Sequence, residues 1–278
     1  MKHWFNQDKS IRLYNGDCRE VMDKLIENNI QVDLTVTSPP YDDIRNYNNT
    51  LEWNFNIFKE VADRLYTITK IGGVVVWIVG DRVKNGSETL TSFKQALYFK
   101  EIGFNIHDTM IYAKSNPIPM NHNRYEQCFE YMFILSKGKP NKFNGLVDEC
   151  KYSGINNSSG TFRNRSKDDN TEKSHNKKLG GKLVKDFKLK SNIWYYTVGN
   201  NMSTKDKYAF EHPAIFPEKL AQDHILSWSN EGDIVLDCFM GSNTTGKIAK
   251  LLNRKFIGIE KVKDYCDIAI KRIKTIDN

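Results

Sequence analysis

The sequence predicts an α/β domain built on an open sheet, and three observations lead there. Ile234, Val235 and Leu236 read as a short buried strand that ends on Asp237, bends at Gly241 and enters a helix with Ile248, Ala249, Leu251 and Leu252 on one face. Other strand-like runs at 32–37, 74–79 and 256–260 are interleaved with helical periodicity at 53–68 and 93–102. Between 137 and 190 that interleaving stops, which marks an insertion rather than more of the same domain.

A strand, a glycine turn and a helix N-terminus form the ligand-binding edge of such a sheet. The turn lets a ligand approach bare backbone, and the first helical N–H groups favour a carboxylate or phosphate. Residues 241–247 follow the phosphate-loop pattern up to its last place, where magnesium needs a hydroxyl and the chain has Ile248. A dinucleotide fingerprint also fails, because no G-x-G-x-x-G follows the strand. What remains is a strand-end acid, Asp237, a glycine turn, and a second strand-end acid, Glu260, suited to accept hydrogen bonds from a ribose diol. The plain alternative is a βαβ unit with solvated strand-end acids.

A chain of 278 residues holds one α/β domain with an insertion, or two small domains. No stretch reaches the length of a membrane span and the first residues lack the apolar core of a signal peptide, so a cytoplasmic protein is expected. Cys18, Cys128, Cys150, Cys238 and Cys266 are odd in number and contain no C-x-x-C pair. That argues against a disulfide framework and a zinc site, and no metal is expected. The net charge of +7 favours a polyanionic partner.

Taken in order, residues 13–18 look like a strand ending in a Gly16-Asp17 turn, with a helix from 19 to 26 for which Asp17 is a candidate cap. The alternating strand 32–37 runs into Ser38-Pro39-Pro40-Tyr41. Two prolines remove two backbone donors, leaving outward carbonyls beside a serine hydroxyl and an aromatic ring. That set suits a flat, amino-bearing group, held by the acceptors and stacked on the ring. A polar loop at 42–50, the helix 53–68 stopping near Gly72-Gly73, the strand 74–79, the helix 93–102 and the strand 104–112 are read as scaffold. After a proline-broken loop at 116–124, the strand 128–135 carries aromatic residues at its entry. Residues 137–190 then hold 14 Lys or Arg against 6 Asp or Glu, enough to account for the whole chain's excess positive charge. This is either a solvated loop or a nucleic-acid contact region, with Arg163, Arg165, Lys173, Lys177, Lys178 and Lys182 as candidate DNA contacts. An aromatic strand at 192–196 and a helix entered through Pro217 lead back to the strand that ends on Asp237.

With these residues in place, the chain resembles the beta-class DNA amino-methyltransferases that use S-adenosyl-L-methionine. Ser38-Pro39-Pro40-Tyr41 stands where that family has its catalytic tetrapeptide, and Asp237, Phe239, Gly241, Ser242, Asn243 and Thr244 stand in its cofactor loop. Cys238 and Asn243 are departures, at places where proline and glycine are frequent. Asp17 and Cys18 resemble the adenine-side pair, Glu260 the ribose-binding acid, and His212 with Pro217 and Glu218 the segment before the cofactor strand.

The resemblance implies a Rossmann-like, mostly parallel sheet with helices on both faces. It implies a catalytic half at 1–136, a target-recognition insertion at 137–205 and a cofactor half at 206–278. The implied reaction is methylation of the exocyclic amino group of a base flipped out of double-stranded DNA. Ser38 at the head of the motif points to cytosine-N4; adenine-N6 is the alternative. Ring-carbon methylation would need a cysteine after a proline, and the chain has none. Readings from other classes are a non-catalytic DNA-binding protein with this fold, and a methyltransferase acting on RNA or a small molecule. Restriction-modification, a restriction endonuclease partner, a homodimer and a prokaryotic or phage source are compatible with the resemblance. The two motifs, far apart in sequence, are expected to adjoin across one cleft.

Overall fold

The computed structural model describes residues 2–40, 53–117, 119, 123–154, 164–165, 172–173, 183–199, 201–212 and 215–277. The chain opens with a hairpin of β1 (Lys2–Phe5) and β2 (Ile11–Asn15), then α1 (Cys18–Glu27), whose first turn is capped by the Asp17 carboxylate. β3 (Val32–Thr37) is followed by α2 (Phe55–Ile68), where the Asn54 side chain accepts the Asn56 and Ile57 N–H groups. Phe58, Val61, Ala62 and Leu65 then fall on one buried face. β4 (Thr69–Val79), a small hairpin of β5 (Val83–Lys84) and β6 (Ser87–Glu88), α3 (Thr91–Glu101), β7 (Asn105–Lys114) and β8 (Phe129–Ser136) complete the first part.

β9 (Val147–Glu149), β10 (Asn164–Arg165), β11 (Glu172–Lys173) and β12 (Phe187–Leu189) come next. They pair as two small antiparallel ladders, β9 with β12 and β10 with β11. Residues 145–191 form a compact unit of their own, while 1–144 and 192–278 form the other. The first unit continues with β13 (Ile193–Tyr196), a 3₁₀ turn at Lys207–Glu211, α4 (Glu218–Trp228), β14 (Ile234–Asp237), α5 (Thr244–Leu251), β15 (Lys255–Glu260) and α6 (Lys263–Asp277).

Among the described residues the main sheet has nine strands, in the order β1-β2-β15-β14-β3-β4-β8-β7-β13. The run from β2 to β4 is parallel, β8 is antiparallel to both its neighbours, and β13 returns parallel to β7. The fold is α/β and mostly parallel, as expected. The second half of β4 is buried on both faces and runs Val74, Val75, Val76, Trp77, Ile78 and Val79 without a polar residue. On one face α1, α2 and α3 cover Val75, Trp77, Val79 and Phe133; on the other α4 brings His224 within 3.0 Å of the Met132 sulfur.

Several elements differ from the sequence reading. Gly72 and Gly73 do not end a helix but lie inside β4, which starts five residues early at Thr69. A Cβ at Gly73 would sit 2.8 Å from the Thr69 side chain, 2.9 Å from the Lys70 carbonyl and 3.0 Å from the Asp33 carbonyl, so crowding within β4 and from β3 excludes a side chain there. Pro217 stands at the N-cap of α4 rather than inside its first turn. α5 begins at Thr244, directly after the turn. The compact unit 145–191 lies inside the expected insertion 137–205, and β13 belongs to the main sheet.

Candidate active site

Because β2, β15, β14 and β3 are parallel neighbours, their carboxyl ends lie side by side and carry Asp17, Glu260, Asp237 and Ser38 in that order across the sheet. From β14 the chain crosses to β15, and from β3 it crosses the opposite way to β4. The strand order therefore reverses between β14 and β3, and open α/β sheets bind ligands at such a switch point.

That pair of strands is clamped at both ends. At the start, Asp33 accepts the Ile234 N–H at 3.0 Å; at the carboxyl end, the Thr37 hydroxyl donates to Asp237 Oδ1 at 2.7 Å, across 200 residues of sequence. Asp237 Oδ1 also accepts the Phe239 N–H at 3.1 Å, and Oδ2 accepts the Thr245 hydroxyl at 2.7 Å. All three donors are neutral, and burial pushes the Asp237 carboxyl up to about 6.

Glu260 is held in a similar way, accepting the Gly241 N–H at 3.0 Å on Oε2 and the Val262 N–H at 2.8 Å on Oε1. Each oxygen keeps acceptor capacity beyond its backbone donor. Burial, with the Asp237 charge adding to it, pushes Glu260 up to about 7. Gly241 adopts φ 48°, and a Cβ there would lie 2.7 Å from His212 Nε2, so only bare backbone fits this bend. Ser242, Asn243 and Thr244 are buried behind it. Phe239 is half-buried and meets the Trp53 ring edge-on at 5.3 Å and the Trp77 ring at 6.3 Å. At the far strand, Arg19 hydrogen bonds to both Asp17 oxygens at 2.9 Å and hold its carboxyl below the usual range. Burial pushes the neighbouring Cys18 thiol up to about 12.

A family model described as DNA methylase, covering N6 and N4 methyltransferases, matches residues 32–271. The chain is 58% identical over 245 residues to the orphan methyltransferase M.BamHII of Bacillus amyloliquefaciens, spanning 87% of this chain and 89% of that one. The chain belongs to this DNA methylase family. Among solved structures it is similar to the M1.HpyAVI–SAM complex, with a TM-score of 0.63 and 25% identity over 95% of this chain and 99% of that chain. It shares its fold with the PvuII DNA methyltransferase (cytosine-N4-specific), with a TM-score of 0.65 and 19% identity over 94% of this chain and 86% of that chain. The methylase is an S-adenosylmethionine-dependent DNA amino-methyltransferase.

In the methylase, Ser38 and Pro40 are half-buried and Pro39 is buried at the carboxyl end of β3, next to the strand that carries the glycine bend. Tyr41 lies outside the described residues, as do Arg163, Lys177, Lys178 and Lys182. Arg165 and Lys173 fall in β10 and β11, where Arg165 is opposite Glu172 and Lys173 opposite Asn164. Asn243 adopts φ 68° at the N-cap of α5, and its buried side-chain nitrogen and oxygen have no hydrogen-bond partner. The sequence reading left three neighbours of the site out of its candidate site residues: Thr37, Thr245 and Trp53. The first two carried a signal, since a hydroxyl in an apolar strand or an inward helix turn needs a partner. Trp53 looked like one more apolar position of a helix. Among the described residues no helix is long and apolar enough to cross a membrane.

Proposed function

We propose that this methylase acts on the 4-amino nitrogen of a cytosine extruded from double-stranded DNA, at the switch point between β3 and β14. The observation that supports a single site is the bond from Thr37 to Asp237 at 2.7 Å, which ties the residue before Ser38 to the strand that begins the glycine loop, while the choice of cytosine rests on Ser38. In the proposed site Ser38, Pro39, Pro40 and Tyr41 are the catalytic set. Asp17, Cys18, Phe239, Gly241, Ser242, Asn243, Thr244 and Glu260 bind the cofactor, and Asp237 serves that set by joining loop to strand.

The donor set fits such a cofactor. Glu260 has two carboxylate oxygens, each with one backbone donor, which suits a ribose diol. The bend at Gly241 admits no side chain, and Phe239 with Trp53 offers aromatic surface for an adenine. When bound, the sulfonium cofactor supplies an activated methyl group. The protein's part is to hold the amino nitrogen about 3 Å from it, in line with the leaving sulfur. The Ser38 hydroxyl and the Pro39 carbonyl accept the amino hydrogens and orient the nitrogen lone pair, while the Tyr41 ring stacks on the base. These acceptors also favour the positive charge that develops on the nitrogen. A serine is a poor base, so Ser38 positions first.

Cytosine is favoured over adenine by Ser38 at the head of the motif, the residue its family resemblance links to cytosine. Residues 137–205 are proposed as the target-recognition region, between a catalytic half at 1–136 and a cofactor half at 206–278. Lys and Arg there neutralise backbone phosphates.

The deciding experiment is mass spectrometry of nucleosides from DNA treated with the methylase. N4-methylcytosine is expected, and N6-methyladenine would overturn the choice of base. Ser38→Ala should lower transfer by roughly 10²-fold or more, in the range seen for removal of one transition-state hydrogen bond, while cofactor affinity stays the same. Loss of affinity instead would move Ser38 into the cofactor set. Neutralising Lys173, Lys177, Lys178 and Lys182 together should flatten the salt dependence of DNA binding; an unchanged slope removes them from the interface.

A further inference from the structure

α6 carries an arginine in an unusual position. Arg272 sits in a Lys-Arg-Ile-Lys run, yet its side chain is 0% exposed. Its Nη1 donates to the Ser242 carbonyl at 2.8 Å and the Thr244 hydroxyl at 3.1 Å, with Ser242 Oγ at 3.4 Å. Its Nη2 donates to Glu218 Oε1 at 2.6 Å and lies 3.4 Å from the Thr204 hydroxyl, and its Nε donates to Asp206 Oδ2 at 2.9 Å. Lys247, one turn into α5, donates to the same two carboxylates at 2.8 Å each.

A buried guanidinium is tolerated only when its charge is matched and its fixed fork of donors is filled. Two carboxylates facing two cations achieve the first. An ion pair alone, however, does not require the Ser242 carbonyl or the Thr244 hydroxyl. Those two acceptors belong to the bend that starts at Gly241. The acids on the fork's other side, Asp206 and Glu218, bracket the segment that sets His212 against Gly241. One side chain thus joins three pieces of chain that meet around the bend.

We propose that Arg272 is a positioning residue for the cofactor, holding the 241–244 bend in its binding shape from inside the protein. This rests on the reading of that bend as the cofactor loop. Arg272→Lys keeps a positive charge for Asp206 and Glu218, but a single ammonium on a shorter reach cannot also hold Ser242 and Thr244. The expected result is a rise of about 10-fold in the Kd and KM for S-adenosylmethionine, the size of a lost charge-assisted hydrogen bond. The kcat at saturating cofactor should change less than about 3-fold, because the interaction is made equally in the ground and transition states. A merely structural arginine would lower the melting temperature and leave the Kd of the folded fraction unchanged, and that outcome overturns the proposal.

If Arg272→Lys fails to fold, Glu218→Gln loosens the same fork and should raise the Kd by roughly 3-fold; no change overturns the assignment. Glu260→Gln, measured alongside, separates the two readings. Weakened cofactor binding in Glu260→Gln with none in Arg272→Lys sinks the arginine's role alone. The reverse pattern removes Glu260 from the cofactor set and supports Arg272.

Discussion

Four acids border the bend at Gly241, and they are held in two different ways. Asp237 and Glu260 accept hydrogen bonds only from hydroxyls and backbone N–H groups, and burial raises both carboxyls, to about 6 and about 7. Asp206 and Glu218 face Arg272 and Lys247 instead. Burial opposes the Asp206 charge too, but the two cations outweigh it and hold its carboxyl below the usual range. Asp206 and Glu218 stay partly exposed whereas Asp237 and Glu260 are buried, so the pairs differ both in burial and in the chemistry of the donor. Asp206 and Glu218 are matched by cations and serve structure, whereas Glu260, held by neutral backbone donors, keeps lone pairs to offer a ligand.

That contrast can be tested most severely at Asp237. Asp237→Ala strands the Phe239 N–H and two hydroxyls in the interior and should destabilise the fold by about 3 kcal/mol or more, read by denaturant titration. Asp237→Asn should cost far less, because the Thr37 and Thr245 hydroxyls can each donate or accept. Equal damage from both changes would mean that charge, not hydrogen bonding, is what matters there.

Next in size is the pH response. The folded-state carboxyls of Asp237 and Glu260 lie above their ordinary values of 3.8 and 4.5, so the stability they contribute is full below about 4 and is lost as pH rises through about 6 and about 7. Asp206, shifted the other way, contributes stability that is lost only as pH falls below 3.8. In the proposed site, ribose hydroxyls would favour the Glu260 carboxylate. S-adenosylmethionine affinity should therefore tighten up to ~10-fold between pH 6 and 7, with proton release detectable by calorimetry in buffers of differing ionisation enthalpy. Glu260→Gln should flatten that profile; a profile unchanged by it would assign the proton elsewhere.

The smallest effect is expected at Asn243. Its buried amide has no partner and its φ is 68°, so Asn243→Gly should stabilise the fold by about 1 kcal/mol. Destabilisation would reveal an unseen partner for that amide.

The sequence was most legible where local pattern and final environment agree. β14 and β15 were readable as apolar runs, and α2 as a repeat of buried faces, because each buries what its pattern offers; β3 was readable as an alternating strand, although its Thr35 and Thr37 are buried as well. β1 was not readable: Lys2, His3 and Phe5 are exposed, so no alternation marks the strand. The same limit hid Arg272, since a basic run reads as a solvated face until three other segments close around one of its members. The four strand-end positions Asp17, Ser38, Asp237 and Glu260 could be picked out singly, but their order across the edge follows from sheet topology. The short ladders of 145–191 leave almost no periodic trace, which is why that region was legible only as a change in composition.

The place of β14 and β15 in the sheet has a consequence for how the protein is made. They sit between β2 and β3, yet they are synthesised after every other strand of the sheet. While the ribosome is still working, the amino-terminal portion has a two-strand gap in its middle, with Ile11 and Leu13 on one bank and Leu34 and Val36 on the other lacking the neighbours that bury them. Folding of the sheet as one piece must wait for the arrival of the last strands, a long-range closure of the kind that slows folding and exposes sticky edges meanwhile. The methylase should then gain activity only once β14 and β15 have emerged, and a nascent chain stopped before Ile234 should be a client for chaperones rather than a smaller enzyme.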